Sequence, residues 1–324
     1  MKKALICGVS GQDGAYLAQL LLAKGYEVWG TSRDAQVASF ANLERLGIRM
    51  QVRVLSMAQS DFRSVLNTLS RSEPDEIYFL SGQSSVGLSF DQPAESIESV
   101  VFGALNLLES VRFLGRQVRI YHASSSECFG DVSPGERANE LTPFRPRSPY
   151  GVAKASAHWL IANYREAYGL YCCNGILFNH ESPLRPERFV TRKIVSAACR
   201  IASGSEERLS LGRLDIVRDW GWSRDFVDAM WRMLQQDEPN DYVIATGMSN
   251  TLESFVATAF AQVGLDWRPH VDIDSSLFRP SEIAHSAGNP DKAMRGLDWK
   301  ASVAFPELIA NLVRAEQGIL PPTQ

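Results

Sequence analysis

The sequence predicts an α/β chain: a doubly wound parallel sheet followed by a smaller C-terminal α/β lobe. Three observations predict it. Short apolar runs alternate with helix-like stretches through the first half. Three glycines, Gly8, Gly11 and Gly14, fall where the first strand hands over to the first helix. After Glu181 the alternation weakens and Pro183, Pro186 and charged residues appear. Strands separated by helical patterns imply βαβ units, and these demand a parallel sheet with right-handed crossovers.

The elements follow in order. Lys3–Cys7 is a short apolar run ending in glycine, and Tyr16–Lys24 carries leucines at helical spacing. Glu27–Thr31 and Val52–Leu55 read as the next strands, with a helix near Phe62–Arg71. Glu76–Ser81 is the fourth strand, before a helix near Ser96–Phe113. Val118–His122 is the fifth strand and Asn174–Asn179 the sixth. A helix near Thr191–Ser203 precedes short polar strands, and Asp225–Gln235 and Tyr242–Thr246 return to helix and strand. This divides the chain into a dinucleotide-binding domain, residues 1–178 with about 214–246, and a second lobe, about 179–213 with 247–324.

With 324 residues the chain is long enough for a sizeable core. Its net charge of −4 and lack of a long basic run exclude a nucleic-acid binder, which works by neutralising phosphates. No run approaches the ~18 apolar residues of a membrane span. Only four residues separate Met1-Lys2-Lys3 from Gly8, too few for a secretory core. The five cysteines are odd in number and lack CxxC spacing, which suits reduced thiols in the cytoplasm. His122 and His180 have no metal-ligand spacing, so no metal is expected.

Gly8-Val-Ser-Gly11-Gln-Asp-Gly14 is a Rossmann-like phosphate loop. Glycine permits positive φ and close backbone approach, and the following helix offers free N–H groups at its positive end. At the end of strand two, Ser32 and Arg33 suit a 2′-phosphate, which favours NADP over NAD. A strand two residues longer would instead bring Asp34 to an NAD ribose.

Tyr150 and Lys154 are four apart and share a helical face. A nearby ammonium favours the phenolate, so Tyr150 can accept a hydroxyl proton while hydride leaves. Ser125 lies just beyond strand five, at the ligand-binding edge of the sheet, and can bond the same hydroxyl. Glu127 is the informative addition. Simple alcohol dehydrogenation needs no second carboxylate, whereas removal of a proton α to a new ketone does.

These residues resemble the extended short-chain dehydrogenases/reductases that act on nucleotide sugars, and among them the GDP-mannose 4,6-dehydratase family. GVSGQDGAYL (Gly8–Leu17), SSSECFG (Ser124–Gly130), TPFRPRSPYGVAK (Thr142–Lys154), FNHESPLRPERFVTR (Phe178–Arg192), RDW (Arg218–Trp220) and FRPSE (Phe278–Glu282) carry the resemblance across nearly the whole chain. It implies a lyase that oxidises C4 of a GDP-sugar, loses water across C5 and C6 with Glu127 as acid/base, and returns the hydride to C6. Besides the glycines and Arg33, it implies Gln12, Asp13, Tyr150, Lys154 and His180 at the cofactor. It implies Ser84, Asn179, Lys193, Arg218, Arg279 and Glu282 at the nucleotide sugar, and a homodimer or homotetramer. The chain departs from the family pattern at Asp34, at Leu55-Ser56-Met57-Ala58, at Ser81-Gly82-Gln83, at Ser125 in place of threonine, and at Ala284. The departures keep a 4-reductase or epimerase of the same fold in view, and from another class a non-catalytic sensor of sugar nucleotides.

Overall fold

In the computed structural model, which describes residues 1–319, the chain opens with β1 (Lys3–Cys7), α1 (Gln12–Ala23), β2 (Glu27–Ser32), α2 (Ala41–Arg45) and β3 (Arg53–Ser56). It continues through α3 (Phe62–Ser72), β4 (Glu76–Phe79), α4 (Val86–Asp91), α5 (Pro93–Ile97), α6 (Gly103–Leu114) and β5 (Arg119–Ser125). Then come α7 (Pro149–Tyr168), β6 (Cys172–Leu177), β7 (Asn179–Glu181), α8 (Val190–Ala202), β8 (Leu209–Leu211), β9 (Val217–Trp222), α9 (Ser223–Met233) and β10 (Tyr242–Ile244). The chain closes with β11 (Ser249–Thr251), α10 (Leu252–Gln262), β12 (Val271–Ile273), α11 (Asp291–Gly296) and α12 (Phe305–Glu316). Positions 320–324 of the expected smaller lobe lie outside the described residues.

Seven strands form one parallel sheet in the order β10-β6-β5-β4-β1-β2-β3. Helices cover both faces, which is why these strands read as nearly unbroken apolar runs. Alternate residues of one strand enter different cores. Ala4 and Ile6 join Tyr78 and Tyr121 beneath α1 and α9, with Leu17, Leu21, Phe226 and Met230. Leu5 and Cys7 join Ile77, Phe79 and Ile120 beneath α3, α6 and α7, with Val65, Leu107 and Ile161. The sheet therefore supports α1 on one face and α7 on the other.

A three-stranded sheet, β11-β9-β7, stands beside the first, and β8 pairs with β12. Helices α8, α10 and α12 close over Trp220, Phe255 and Leu312 in a separate core. The segment 217–222, expected with the dinucleotide-binding domain, pairs instead with β7 and β11. From that expected segment α9 and β10 return to the first unit, where β10 pairs with β6, and α11 joins them there through Ala293. The helix expected near Ser96–Phe113 is present as an unbroken helical run, in which α5 passes through a π-helical turn, Glu98–Phe102, into α6. Ser125 is the last residue of β5 rather than the first beyond it. Among the described residues, no helix is long and apolar enough to cross a membrane.

Candidate active site

β1 and β4 are neighbours in the sheet, yet the chain leaves them in opposite directions, and a crevice opens at their carboxyl ends. Two glycines shape it. Gly8 has φ +88°, in the left-handed region. A Cβ on Gly14 would lie 2.3 Å from the Gly8 carbonyl oxygen and 2.7 Å from Val9 Cα, so only glycine lets α1 start directly over the loop. Gly11 caps α1 without a side-chain hydrogen bond, leaving the first-turn N–H groups facing the crevice. The cleft has a volume of about 690 Å³ and runs from this loop past Ser32 and Arg33 to Ser81 and Gly82. A glycine cradle, an open helix N-terminus and a switch-point crevice fit a dinucleotide pyrophosphate.

Arg33 lines this cleft and pairs with Glu95 at 2.9 Å. Asp34 does not line it: its carboxylate accepts a hydrogen bond from the Gln36 N–H at 2.9 Å and closes a turn. Gln12 and Asp13 line the cleft too, but their side chains are engaged below it. Gln12 Nε2 donates to the His180 carbonyl at 3.2 Å, and Gln12 Oε1 accepts from Ser182 at 2.8 Å. Asp13 accepts from His180 Nε2 and from the Ser223 hydroxyl, both at 2.8 Å. His180 Nδ1 donates to the Phe178 carbonyl at 2.7 Å, so both ring nitrogens carry donors when the ring is charged. Burial alone would push Asp13 up, but the His180 charge and these hydrogen bonds outweigh it and hold the carboxyl at about 2. His180 is raised in turn, the pull of Asp13 overcoming burial. Gln12, Asp13 and His180 thus anchor the phosphate loop to β7.

A second cleft, of about 430 Å³, opens from the same edge and is lined by Ser125, Glu127, Tyr150 and Lys154 together. β5 delivers Ser125 at its tip. Helix α7 delivers the other pair, started by Pro149 and by the Ser148 hydroxyl accepting from Gly151 N–H at 3.0 Å. Lys154 Nζ donates to the Ala123 carbonyl at 2.8 Å and stands 5.8 Å from the centre of the Tyr150 ring. Burial lowers Lys154 to about 8. The sequence expectation was a phenol lowered by Lys154. Here burial is the leading influence and raises Tyr150, the Ser125 hydroxyl working against it. Glu127 is also raised by burial, opposed by the charges of Arg218 and Arg279.

One turn beyond Lys154, His158 Nδ1 lies 3.2 Å from Ser124 Oγ, and Asp241 and Arg165 stand behind it. So α7 is fastened to β5 at two successive turns. Composition and spacing gave no sign of this network, because Asp241 comes from a loop more than seventy residues downstream.

All six residues expected at the nucleotide sugar line the second cleft: Ser84, Asn179, Lys193, Arg218, Arg279 and Glu282. Arg218 is buried and pairs with Glu282 at 3.0 Å, while Arg279 reaches the same carboxylate oxygen at 3.1 Å. Lys193 Nζ donates to the Ser210 carbonyl at 2.8 Å. The sequence reading missed Arg185 and Arg188, which line both clefts from the loop before α8. Arg185 pairs with Glu181 at 2.9 Å and stacks 3.9 Å above Phe189. Their signal was present in LRPERF, where two arginines flank a proline turn.

Comparison with known proteins agrees with this geometry. A family profile described as GDP-mannose 4,6 dehydratase matches residues 5–312. GDP-mannose 4,6 dehydratase 1 of Arabidopsis thaliana is 46% identical over 96% of this chain and 89% of its own. The GDP-mannose 4,6-dehydratase of Vibrio cholerae is 41% identical, covering 96% of this chain and 93% of its own. The human GDP-mannose 4,6 dehydratase is likewise 41% identical, over 97% and 91%. Among solved structures, Thermus thermophilus UDP-glucose 4-epimerase, in complex with NAD, superposes with a TM-score of 0.87 at 26% identity, covering 98% of this chain and all of the other. The dTDP-glucose 4,6-dehydratase of Streptomyces venezuelae, also with NAD bound, has the same fold at a TM-score of 0.87 and 23% identity, over 99% of this chain and 100% of its own. Profile, full-length relatives and fold agree, and the chain belongs to the GDP-mannose 4,6-dehydratase family.

Proposed function

We propose that the protein is a hydro-lyase that converts GDP-mannose to its 4-keto-6-deoxy sugar nucleotide, using NADP held in the first cleft. The observation that carries this is the meeting of Glu127 with Ser125, Tyr150 and Lys154 in one cleft. A 4-reductase of this fold would have no use for Glu127.

The glycine loop and the first turn of α1 would hold the pyrophosphate, Arg33 would hold a 2′-phosphate, and Tyr150 and Lys154 would bond the nicotinamide ribose. The turn at Asp34 supports NADP over NAD, since that carboxylate is spent on Gln36. When bound, the nicotinamide supplies the redox chemistry, accepting hydride from C4 and returning it at C6.

The rest is proton management by side chains. Tyr150 takes the C4 hydroxyl proton while Ser125 bonds the same oxygen, and Lys154, largely charged at neutral pH, favours the phenolate. The new C4 ketone acidifies C5–H. Glu127 removes that proton as a carboxylate and delivers it to the departing C6 hydroxyl, which leaves as water. Its raised pKa suits a group that must both take and give a proton near neutrality. Once hydride reaches C6, C5 needs a proton, and Tyr150 holds the one taken from the C4 hydroxyl. The sum is loss of one water and no net oxidation. Arg218, Arg279 and Lys193 present cations to the diphosphate, with Ser84 and Asn179 along the sugar.

The same reading extends to a cytoplasmic homodimer or homotetramer. Five free thiols suit a reducing compartment, and the exposed Phe113 and Trp159 on α6 and α7 are surface that an assembly would cover. The test of the activity is mass analysis of GDP-mannose incubated with the purified protein. Loss of the mass of one water, without stoichiometric consumption of added nicotinamide, supports it. An unchanged substrate, or product formed only as NADPH is consumed, refutes it.

A further inference from the structure

Arg33 leaves the carboxyl end of β2 and stands 80% exposed at the mouth of the first cleft. Its guanidinium is not free there. Nη2 donates to Glu95 Oε1 at 2.9 Å, from α5, whose side chain is 42% exposed. Glu98, on the π-helical turn that follows, lines the same cleft. Among the described residues, the cations lining the cleft besides Arg33 are Arg185 and Arg188, on the loop before α8. Arg33 therefore meets an acidic flank rather than a basic cluster.

A guanidinium binds a phosphate through the same N–H fork that it offers to a carboxylate. A nucleotide 2′-phosphate that takes Nη2 must displace Glu95 from it, and one that uses the remaining N–H groups leaves Glu95 bound beside it. Either way it stands close to the Glu95 carboxylate, and two like-charged groups in proximity repel. A ribose with a free 2′-hydroxyl meets neither cost and leaves the ion pair intact.

We infer that Glu95 is a specificity-determining residue that competes with the cofactor 2′-phosphate for Arg33 and narrows the preference for NADP(H) over NAD(H). This rests on the reading of Arg33 as the 2′-phosphate ligand. Wild-type chain would then discriminate less sharply than Arg33 alone would allow, and the preference would depend on salt, because both side chains are solvated.

The test is a binding competition that needs no turnover. Full-length protein is equilibrated with equal concentrations of NADP+ and NAD+, freed of unbound nucleotide, and its retained cofactors are quantified by chromatography. Glu95→Gln should raise the retained NADP:NAD ratio by about two- to fivefold at low salt, and less at high salt. The affinity for NAD+ measured alone should stay within about twofold. Arg33→Gln should lower the ratio. An unchanged ratio in E95Q, or an equal change for both nucleotides, overturns the inference while leaving the Arg33 assignment standing if R33Q loses NADP. An unchanged ratio in R33Q overturns the Arg33 assignment and the inference with it. Neither result bears on whether GDP-mannose is dehydrated.

Discussion

Asp13 Oδ2 and His180 Nε2 lie 2.8 Å apart, joining the first turn of α1 to β7. One partner lies under the glycine loop and the other lines the second cleft, so the pair sets the position of each cleft against the other.

Stability should follow the protonation of this pair. Asp13 is lowered to about 2, so its contribution is present above the ordinary carboxylate value and is lost as pH falls through the folded one. His180 is raised, so its contribution is complete below the ordinary imidazole value and is lost as pH climbs through the folded one. Both contribute fully between about pH 4 and 6.5. Asp13→Asn should cost about 1–3 kcal/mol near pH 5.5 and distinctly less near pH 9, read from urea midpoints at the two pH values. An equal loss at both would mean that the charge of His180 is not involved.

Glu127→Gln keeps the shape of the side chain and removes its acid/base capacity. GDP-mannose binding should stay within a few fold of wild type, while dehydrated product falls by about a hundredfold or more. Calorimetric titration beside product analysis separates the two. Near wild-type product from this variant would remove Glu127 from the chemistry.

Lys154 gives the pH profile its alkaline limb. Burial lowers its ammonium to about 8, so on the proposed mechanism the charge beside Tyr150 is lost as pH rises past that value. The kcat/KM for GDP-mannose should fall above about pH 8. Lys154→Met should lose at least about a hundredfold in rate, and the limb with it. A profile flat to pH 10 in wild type would contradict this.

Arg218 is buried, with 6% of its side chain exposed, and shares Glu282 with Arg279. If it faces the diphosphate, Arg218→Gln should weaken GDP-mannose binding by about ten- to a hundredfold, the worth of a charge-assisted hydrogen bond in a desolvated site. Cofactor retention should be unaffected, which a binding assay on each ligand resolves.

Features set by local rules were legible in the sequence. β1 carries both its period and its burial in five residues, and the expected strand coincides with the observed Lys3–Cys7. Gly14 announces itself because no other residue fits over the Gly8 carbonyl. Tyr150 and Lys154 need only helical spacing to share a face. What failed was non-local. β9 reads only as a short polar strand, and its pairing with β7 and β11 is what reveals the sheet it joins. The partners of Arg33 and His158, namely Glu95 and Asp241, lie sixty to eighty residues away in sequence, and nothing in either local pattern points to the other. The Tyr150 expectation considered the charge of Lys154 and left out burial, which the sequence does not state and which here raises the phenol, opposed first by the Ser125 hydroxyl.

The most direct test of the central claim follows one hydrogen. GDP-mannose carrying deuterium at C4 is incubated with the protein in ordinary water, and the product is read by NMR. Internal transfer through one bound cofactor predicts deuterium in the C6 methyl group of every product molecule, with none at C4. A methyl group free of deuterium, or product that keeps the label at C4, would contradict it.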